Sequence, residues 1–355
     1  MFIAFLVYLL QPLTCYGMSI ADEDKFDLEF GFSGAKEFEL LKDDEYVCRE
    51  FIFEQERPVY VNGFVPQVNE KHLHHMLLVQ CSANDDSDGN NVDFQNEPDK
   101  SDLYRCGVMY SEEEAEHDGS QICLNNEPYR IIYVWAHHAT ELRLNDTIGF
   151  NLGKSFRLVL QLHFNKPMLA NTEESLLLLH STYKPPPMFA NIFLLFASNG
   201  TIPSKQKSRF ELFCKVEEDV VIHPIAFRVH GHDIAERGTG FRVRLNNYGG
   251  EWSLIGSRSI QEPQIFKQIS TNLTILKDDY IAFVCTMNNF KDHNISVGHA
   301  RKNEMCNFYL MYYLSQGHKG MNMKACGSSG PPYNINGGFQ SNPDFAKTKI
   351  PYELF

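Results

Sequence analysis

Two histidines and an arginine alternate within residues 227–232. Successive side chains of a β-strand point to opposite faces, so Arg228, His230 and His232 are expected on one face. Paired imidazoles can bind a transition metal, and a guanidinium beside them can bind an anion. Taken alone, a His-x-His pattern is more typical of a solvated strand face. Other parts of the chain must decide between these interpretations.

A second group of histidines lies in the first half of the chain. His74 and His75 are adjacent, and His163 ends an alternating run in which Gln161 shares its face. Adjacent residues of a regular strand face opposite ways, so His74 and His75 can reach one metal only if the strand bends or bulges there. Without a bulge, one of the two would be buried and the other solvated.

A third polar stretch surrounds Met305, within residues 304–313. Alternation places Met305, Asn307 and Tyr309 on one face of the strand predicted there. A methionine on a strand usually packs in the core, so a role as a metal ligand needs support from elsewhere.

The elements that carry these residues are predicted to be short β-strands. From Tyr46 onwards, runs rich in Val, Ile, Phe and Tyr are separated by Gly, Asn, Asp and Pro, and long periodic helices are not evident. The pattern predicts an all-β protein of the sandwich kind. Strands are expected at residues 130–135, 156–164, 175–179, 191–197, 222–229, 280–286 and 307–314.

Five regions follow from composition along the chain. They are a signal peptide (1–17), an exposed acidic lead-in (18–45), an N-terminal β-sandwich (46–187), a C-terminal β-sandwich (188–330) and a C-terminal tail (331–355). The boundary between the sandwiches is placed at the triple proline that ends at Pro187. Residues 82–102, which are dense in Asp, Asn, Ser and Gly, are predicted to be a loop.

Charge and hydropathy argue against a nucleic-acid partner and against a transmembrane segment. The 355 residues include 45 acidic and 32 basic side chains, a formal charge of −13, and no run of Lys or Arg interrupts this balance. A nucleic-acid partner is therefore not expected. Beyond the apolar start of the chain, no stretch reaches the length of a transmembrane segment.

Cysteines and sequons indicate the secretory pathway, with a secretory vesicle or the extracellular space as the destination. Eight of the nine cysteines remain after removal of a leader that contains Cys15, and an even number suits a disulfide framework. Four precede residue 130 and four follow residue 210, so pairing within each half is expected. Possible glycosylation acceptors are Asn145, Asn199, Asn272 and Asn294.

Four motifs, taken in order, resemble those of the copper type II, ascorbate-dependent monooxygenases. They are LHHMLL at residues 73–78, LQLH at 160–163, RVHGH at 228–232 and EMCNFYLMYY at 304–313. Each motif is moderately specific, whereas the ordered set is very specific and extends from about Tyr46 to Cys326. Taken together, the four motifs outweigh the simpler interpretations given above for each motif alone, namely solvated or buried histidines and a methionine packed in the core.

The resemblance implies two copper ions, one in each of two jelly-roll-like, disulfide-stapled antiparallel β-sandwich domains that face each other across an open gap. Ligands of the first copper, which relays electrons, match His74, His75 and His163. Ligands of the second copper, where O₂ binds and the substrate is hydroxylated, match His230, His232 and Met305. Such donor sets suit copper, because imidazole accepts either oxidation state and a thioether favours Cu(I).

The resemblance also implies how a substrate is held and which cysteines pair. In the peptide-hydroxylating branch of the family, the terminal carboxylate of the substrate is bound by residues that match Arg228, Asn307 and Tyr309, with Gln161 as a substrate or water contact. The implied disulfides are Cys48–Cys106, Cys81–Cys123, Cys214–Cys326 and Cys285–Cys306. His137 and His138 fall outside the matched ligands and are assigned surface or supporting roles. His72 is assigned a supporting role or an adventitious copper contact.

The activity implied is α-hydroxylation of peptides that end in glycine, with ascorbate as electron donor and O₂ as co-substrate. This is the first step of C-terminal amidation, as in neuropeptide processing, and a separate peptidyl-hydroxyglycine lyase is expected as the partner enzyme. Two alternatives stay open at this point: a related copper monooxygenase acting on catecholamine-like amines, and a non-enzymatic secreted copper-binding protein. The short lead-in and the set around Arg228 favour the peptide substrate.

Overall fold

The structure is a computed structural model of the chain. It describes residues 24–81, 103–107, 122–123, 128–247, 249–315, 320–321, 324–329, 338–345 and 348–354. The predicted signal peptide and the predicted loop at 82–102 lie outside these residues.

The described residues form β-strands and short 3₁₀ turns but no α-helix. The strands are β1 Lys25–Gly31, β2 Glu45–Gln67, β3 Leu73–Cys81, β4 Leu103–Arg105, β5 Tyr129–Ala136, β6 Leu142–Arg143, β7 Ile148–Phe164, β8 Leu176–Thr182, β9 Met188–Asn199, β10 Thr201–Ile202, β11 Gln206–Lys215, β12 His223–His230, β13 Ala235–Asn246, β14 Gly249–Ser259, β15 Lys267–Gln268, β16 Tyr280–Asn289, β17 Ile295–Ser296, β18 Asn307–Ser315 and β19 Ala325–Ser329. Each predicted strand overlaps one of these, which confirms the all-β prediction. Within the described ranges, none of the helical turns has the length and hydropathy of a membrane-spanning helix.

The first half is organised around two long strands. The beginning of β2 pairs antiparallel with β7, and after a register shift between Glu54 and Val59 the end of β2 also pairs with β8. Strand β3 pairs with β7 on one side and with β5 on the other. The register shift lets one long strand pair with β7 and, further along, with β8. Leucines and valines of the neighbouring strands β3 and β7 lie in the buried apolar cluster of this half.

The second half is a sandwich of two sheets. One sheet contains β9, β18, β12 and β15, and the other has the order β11-β16-β13-β14. Apolar residues from the facing sides of both sheets, including Phe227, Phe283 and Phe308, form one buried cluster. Gly240 and Gly256 lie so close to Phe308 and Phe227 that an added Cβ would come within 2.4 Å and 2.1 Å of these rings. Glycine is therefore required where the two sheets approach each other.

The two halves contact each other directly. Strands β7 and β9 pair in parallel through Ile148 with Met188 and Gly149 with Phe189. Tyr309 and Met311 of β18 are buried, with Ala190, Ile192 and Leu194 of β9 and Ala226 of β12, in an apolar cluster whose other buried members come from the first half. The face of β18 that carries the predicted site residues is thus packed against the first half.

The prediction of an exposed acidic lead-in was wrong. Strand β1, within the predicted lead-in at 18–45, pairs with β8 along its whole length, and Phe30 and Phe32 are fully buried. Phe26, Leu28 and Phe30 alternate with polar residues, a strand signal that the acidic composition of the segment obscured. In the predicted tail at 331–355, Phe339 and Phe345 are also fully buried.

The end of the chain is held by an aromatic cluster on the outer face of the second sheet. Phe345 lies 5.1 Å from Phe213, 5.4 Å from Trp252 and 4.9 Å from Tyr280, measured between ring centroids. The indole N–H of Trp252 donates to the hydroxyl of Thr348 at 3.0 Å. Two phenylalanines in a segment rich in Gly, Pro, Ser and Asn therefore suffice to dock it.

Four disulfides staple the fold. The bonded pairs are Cys48–Cys106, Cys81–Cys123, Cys214–Cys326 and Cys285–Cys306, the same pairs that the resemblance implies. Each lies within one half of the chain, as the distribution of the cysteines predicts. Cys81 ends β3, and Cys306 directly follows Met305, so two of the bonds restrain segments that carry candidate ligands.

Candidate metal centres

A bulge in β3 brings three histidines of the first half together. In the ladder between β3 and β7, His75 lies opposite His163, and the register shifts between Leu73 and His75. This irregularity is the condition under which adjacent histidines can face one site. His74, His75 and His163 accordingly form a cluster whose ligand atoms all lie within 4.8 Å of one another.

The three Nδ1 atoms of this cluster form a nearly equilateral triangle. They are separated by 3.1 Å between His74 and His163, 3.3 Å between His163 and His75, and 3.4 Å between His75 and His74. An ion in the plane of atoms so spaced lies about 1.9 Å from each, close to the length of a metal–imidazole bond. The triangle therefore has the dimensions of a three-nitrogen metal site.

Burial keeps these imidazoles neutral. Burial, together with the nearby His232 and His163, lowers the pKa of His74 to about 3. Burial likewise lowers the pKa of His75 well below its usual value, and it lowers the pKa of His163 although Asp44 opposes the shift. Neutral imidazoles present lone pairs to a cation at neutral pH.

Two residues from the start of β2 support His163. The ring of Tyr46 stacks on the imidazole at 4.1 Å between centroids and an angle of 8°. The Asp44 carboxylate faces the other ring nitrogen, Nε2, at 3.4 Å, an ionic contact without well-aligned hydrogen-bond geometry. A carboxylate behind a metal-binding histidine fixes the orientation of its ring and makes it a better donor.

The second donor set lies at one end of β12 and β18. His230 is the last residue of β12, His232 follows in the turn, and Met305 lies two residues before β18 begins. The prediction that His232 continues the strand was therefore wrong: the chain turns at Gly231, where an added Cβ would lie 2.7 Å from Ala235 Cβ and 2.8 Å from Met305 O. The close approach at this glycine brings the segments of His232 and Met305 together.

Hydrogen bonds fix which nitrogen of each imidazole can bind a metal. His230 Nδ1 is bonded to the side-chain oxygen of Gln264, and His232 Nδ1 lies 3.0 Å from the carbonyl oxygen of Asn303. Because both partners are acceptors, each Nδ1 carries the proton and each Nε2 carries the lone pair. His232 Nε2 is buried without a hydrogen-bond partner among the described residues. A metal ion would satisfy this atom.

Glu304 joins the two segments that carry this set. Its buried carboxylate accepts backbone N–H groups from both sides: His232, Ile234 and Ala235 of one segment, and Met305 of the other. Burial raises the pKa of the Glu304 carboxyl, whereas His232 and these N–H groups act in the opposite direction. One side chain thus fixes the relative position of His232 and Met305.

Both donor sets fit copper. Three neutral imidazoles in one set, and two imidazoles next to a thioether in the other, are donors that copper accepts in its cuprous state. Zinc sites more often contain thiolate or carboxylate where this chain has Met305. The unpartnered His232 Nε2 and the converging Nδ1 atoms of the first set indicate a metal ion at each set, independently of the sequence motifs.

The two sets are adjacent. The ring of His74 lies 5.0 Å from the ring of His232 and 6.3 Å from that of His230, measured between centroids. The open gap that the resemblance implies is therefore wrong for this structure. The core shared through Tyr309 and Met311 holds the halves together. Hydrogen bonds from Tyr46 Oη to His299 O and from Gln264 N to His137 O also cross the interface.

A small cavity with an apolar lining and a few polar groups lies between the sets. It measures about 30 Å³ and brings together all four residues expected to contact a substrate. Its lining includes Gln161, Arg228, Asn307 and Tyr309, with His75, His230 and Met305 from the donor sets. Strand register explains part of this, because Arg228 lies directly opposite Tyr309 and His230 opposite Asn307 in the β12–β18 ladder.

Arg228 is a buried cation that keeps one donor group unused. Only 1% of the residue is exposed, and burial lowers the pKa of its guanidinium. Its Nε donates to Gln264 O at 2.7 Å, and the guanidinium lies 4.8 Å from the centre of the Tyr309 ring. Nη1 is buried without a hydrogen-bond partner among the described residues, as is Oδ1 of Asn307. The unpartnered Nη1 N–H group can donate to a small anionic group, whereas Asn307 Oδ1 is an acceptor and would need a donor.

Four supporting residues were not predicted from the sequence: Gln264, Glu304, Asp44 and Tyr46. Gln264 lies outside any strand, and the residues next to it in the sequence do not predict its contacts with Arg228 and His230. Glu304 could have been found, since an acidic residue beside a candidate ligand in an apolar stretch needs a buried partner.

His137 and His138 belong to no candidate metal-binding group among the described residues. His138 pairs with Glu70, and His72 pairs with Glu173 at 2.9 Å.

Comparisons with known proteins match both halves of the chain to a copper-dependent family. The family model described as the N-terminal domain of the copper type II ascorbate-dependent monooxygenases matches residues 35–171, and the model of the C-terminal domain matches residues 188–338. Peptidyl-glycine alpha-amidating monooxygenase B of Xenopus laevis is 28% identical over 87% of this chain. The mouse peptidyl-glycine alpha-amidating monooxygenase is 27% identical over 93% of it.

These relatives are much longer than the present chain. The alignments cover 32% of the Xenopus protein and 30% of the mouse protein, so the chain spans about a third of their length. Among solved structures, a tandem carbohydrate-binding module pair from Paenibacillus barcinonensis is 9% identical with a TM-score of 0.20, covering 79% of this chain and 99% of that one. A similarity of that size carries no argument about fold or function.

Proposed function

The chain belongs to the copper type II ascorbate-dependent monooxygenases, and we propose that it hydroxylates the α-carbon of the C-terminal glycine of peptides. The observation that carries this proposal is the unused Nη1 of Arg228, buried in the cavity that Met305 and His230 also line. An anion bound there would place the adjoining part of a substrate next to the second donor set.

A terminal carboxylate complements the cavity. A buried guanidinium N–H without a partner is unfavourable by about 1–3 kcal/mol, and a charge-assisted bond to a carboxylate removes that penalty. Tyr309 adds a hydroxyl group and Asn307 an amide to the same wall. In a peptide that ends in glycine, the α-carbon is directly attached to this carboxylate, so the clamp positions the carbon that reacts.

Each donor set is proposed to hold one copper ion. The first would be bound by Nδ1 of His74, His75 and His163, and the second by Nε2 of His230 and His232 with the sulfur of Met305. Bound copper would supply one-electron transfer and the activation of O₂. The chain itself contributes the orientation of the imidazoles through Gln264 and Asn303, and the position of Met305 through Glu304.

Entry of the substrate requires the two halves to separate. A cavity of about 30 Å³ has room for one or two water molecules but not for the end of a peptide. The cavity lies at the interface, with Gln161 and His75 on one side and Arg228 and Asn307 on the other. Opening along this contact would admit the carboxylate, and closing would exclude water from the reacting carbon.

The buried cation disfavours the alternative substrate. A catecholamine-like amine carries a positive charge of its own, which the Arg228 guanidinium would repel in a site with few counter-charges. A copper-binding protein without activity would not need an unpartnered cation beside its metal. Both features favour a carboxylate-bearing substrate.

A second reaction would follow the hydroxylation. The α-hydroxyglycine product would be cleaved by a peptidyl-hydroxyglycine lyase activity to leave the peptide amide. The compartment would be the secretory pathway, since disulfides form there and the four candidate acceptors, Asn145, Asn199, Asn272 and Asn294, are all exposed. A mobility shift of the expressed protein on glycosidase treatment tests this.

Substrate competition tests the proposed specificity. With copper and ascorbate present, a peptide ending in glycine should be consumed, whereas the same peptide with a C-terminal amide and a phenylethylamine should not. Preferential consumption of the amine would contradict the peptide assignment. Copper uptake without any oxygen consumption would favour the non-enzymatic alternative.

A further inference from the structure

A second and larger cavity opens beside the donor sets. It measures about 230 Å³ and is distinct from the small cavity that contains Arg228. Both halves contribute to its walls, and it contacts His74 of the first set as well as His230 and His232 of the second. Its volume is below the roughly 300–1,000 Å³ of pockets for drug-sized ligands, which suits a compact molecule.

One guanidinium in this cavity has no ion-pair partner among the described residues. Arg301 is exposed, lines the cavity, and makes no ion pair or side-chain hydrogen bond with any residue that the structure describes. The acidic residues of the same wall are engaged elsewhere: Glu70 pairs with His138, and Asp233 lies 3.6 Å from Lys291. The cavity can therefore attract an anion to Arg301.

The remaining walls offer a hydrogen-bond acceptor and a flat surface. Asn165 lines the cavity, and its buried Oδ1 has no hydrogen-bond partner among the described residues. This oxygen can therefore accept a hydrogen bond from a hydroxyl group. Trp135 contributes a buried indole whose N–H is already bonded to Ala139 O at 2.8 Å. A small, planar anion with hydroxyl groups complements these features.

We propose that this cavity is where ascorbate docks, with Arg301 binding the anionic enediol and Asn165 accepting one of its hydroxyl groups. The proposal rests on the proposed function, because it takes the two donor sets to be copper sites. Ascorbate belongs to the chemistry of the family, and it is a compact, planar anion at neutral pH. The position explains how one reductant site can serve both metals, since the histidines of both sets line the same cavity.

The redox step balances with one electron for each ascorbate. The bound monoanion gives one electron to Cu(II) of the adjacent set, which becomes Cu(I), and loses its remaining enediol proton to solvent. The product is the ascorbyl radical anion, which leaves the cavity. Two ascorbate molecules, bound in turn, reduce both coppers.

The test measures ascorbate binding to the fully reduced holoenzyme under argon. Cu(I) is diamagnetic and cannot oxidise ascorbate further, so ligand-observed NMR reports a dissociation constant without turnover. Arg301→Ala should raise this constant about fivefold, the effect of one exposed charge interaction, and Arg301→Glu should raise it further. Lys302→Ala is the matched control, because it removes the same charge from the adjacent exposed residue outside the cavity and should leave binding within about twofold of the wild type.

Reduction kinetics give a second readout. In anaerobic stopped-flow experiments with the Cu(II) protein, Arg301→Ala should raise the ascorbate concentration at half-maximal rate but leave reduction by an uncharged hydroquinone unchanged. Equal effects of Arg301→Ala and Lys302→Ala, or no saturable binding to the wild type, would overturn the proposal. Neither experiment contains a peptide, so failure of the proposed peptide hydroxylation would not be mistaken for failure of this site.

Discussion

Replacing Glu304 with glutamine should loosen the second donor set and leave the first intact. One carboxylate oxygen of Glu304 accepts N–H groups from His232 and Met305, and the other accepts from Ile234 at 3.0 Å and Ala235 at 3.2 Å. Glutamine keeps the shape of the side chain but replaces one oxygen with an NH₂ group. Two of the four buried N–H groups then face another donor.

The expected magnitude follows from these bonds. Hydrogen bonds to a charged group contribute about 1.5–3 kcal/mol each, so two lost bonds amount to about 3–6 kcal/mol. The neutral amide recovers part of this because Glu304 is only 1% exposed and its charge is disfavoured by burial. We expect the free energy of unfolding to fall by about 2–4 kcal/mol in chemical denaturation. Copper affinity at the second set should fall about 10–100-fold, as for other residues that orient ligands.

X-ray absorption separates the two sets. Only the second contains sulfur, so Glu304→Gln should weaken the copper–sulfur signal, while copper bound by the three histidines of the first set persists. Glu141→Gln is a suitable control, because Glu141 and Arg143 form an exposed pair at 3.9 Å, and it should change stability by less than about 1 kcal/mol. A Glu304→Gln protein with wild-type stability and an unchanged copper–sulfur signal would refute the assigned role.

Three further predictions concern the substrate clamp, the sulfur ligand and the disulfides. Arg228→Gln should lower kcat/KM for glycine-ended peptides about 10²–10³-fold, because truncating a buried charged hydrogen-bond partner costs about 2–5 kcal/mol; a comparable loss in Arg258→Gln, which lies outside the cavity, would argue against a specific clamp. Met305→Ala should abolish hydroxylation and the copper–sulfur signal while the protein stays folded by circular dichroism, and an unchanged rate would count against the second set. Removing the Cys285–Cys306 bond by replacing both residues with alanine should lower the free energy of unfolding by about 3 kcal/mol, the entropy of a loop with a sequence separation of 21, and should also weaken copper binding through Met305.

Local patterns in the sequence were sufficient for the strands and for the shared strand faces of part of the site, whereas the ligand sets came from the family resemblance. Alternation along residues 227–230 and 307–309 places Arg228, His230, Asn307 and Tyr309 correctly, because the β12–β18 ladder preserves the period of two. The bulge at His74 could be stated only as a condition, since two adjacent histidines do not specify where a strand becomes irregular. The alternation in β1 was present in the sequence and was outweighed by its acidic composition.

Features that depend on long-range contacts could not be predicted. Gln264 reaches Arg228 and His230 from a segment between β14 and β15, and its own sequence neighbourhood does not show this. The 5.0 Å separation of His74 and His232 depends on how the two halves pack, which involves Tyr309 and Met311 in a shared core. The docking of Phe345 likewise depends on an aromatic cluster assembled from β11, β14 and β16.

The most direct test of the central claim is product analysis with isotopically labelled O₂. A peptide ending in glycine, incubated with the copper-loaded protein and ascorbate, should yield the α-hydroxyglycine peptide with one labelled oxygen atom on the α-carbon, identified by mass spectrometry. With Arg228→Gln at equal protein and substrate concentrations, the same product should form about 10²–10³-fold more slowly. Absence of labelled oxygen in the product of the wild type, or hydroxylation at another carbon, would contradict the account.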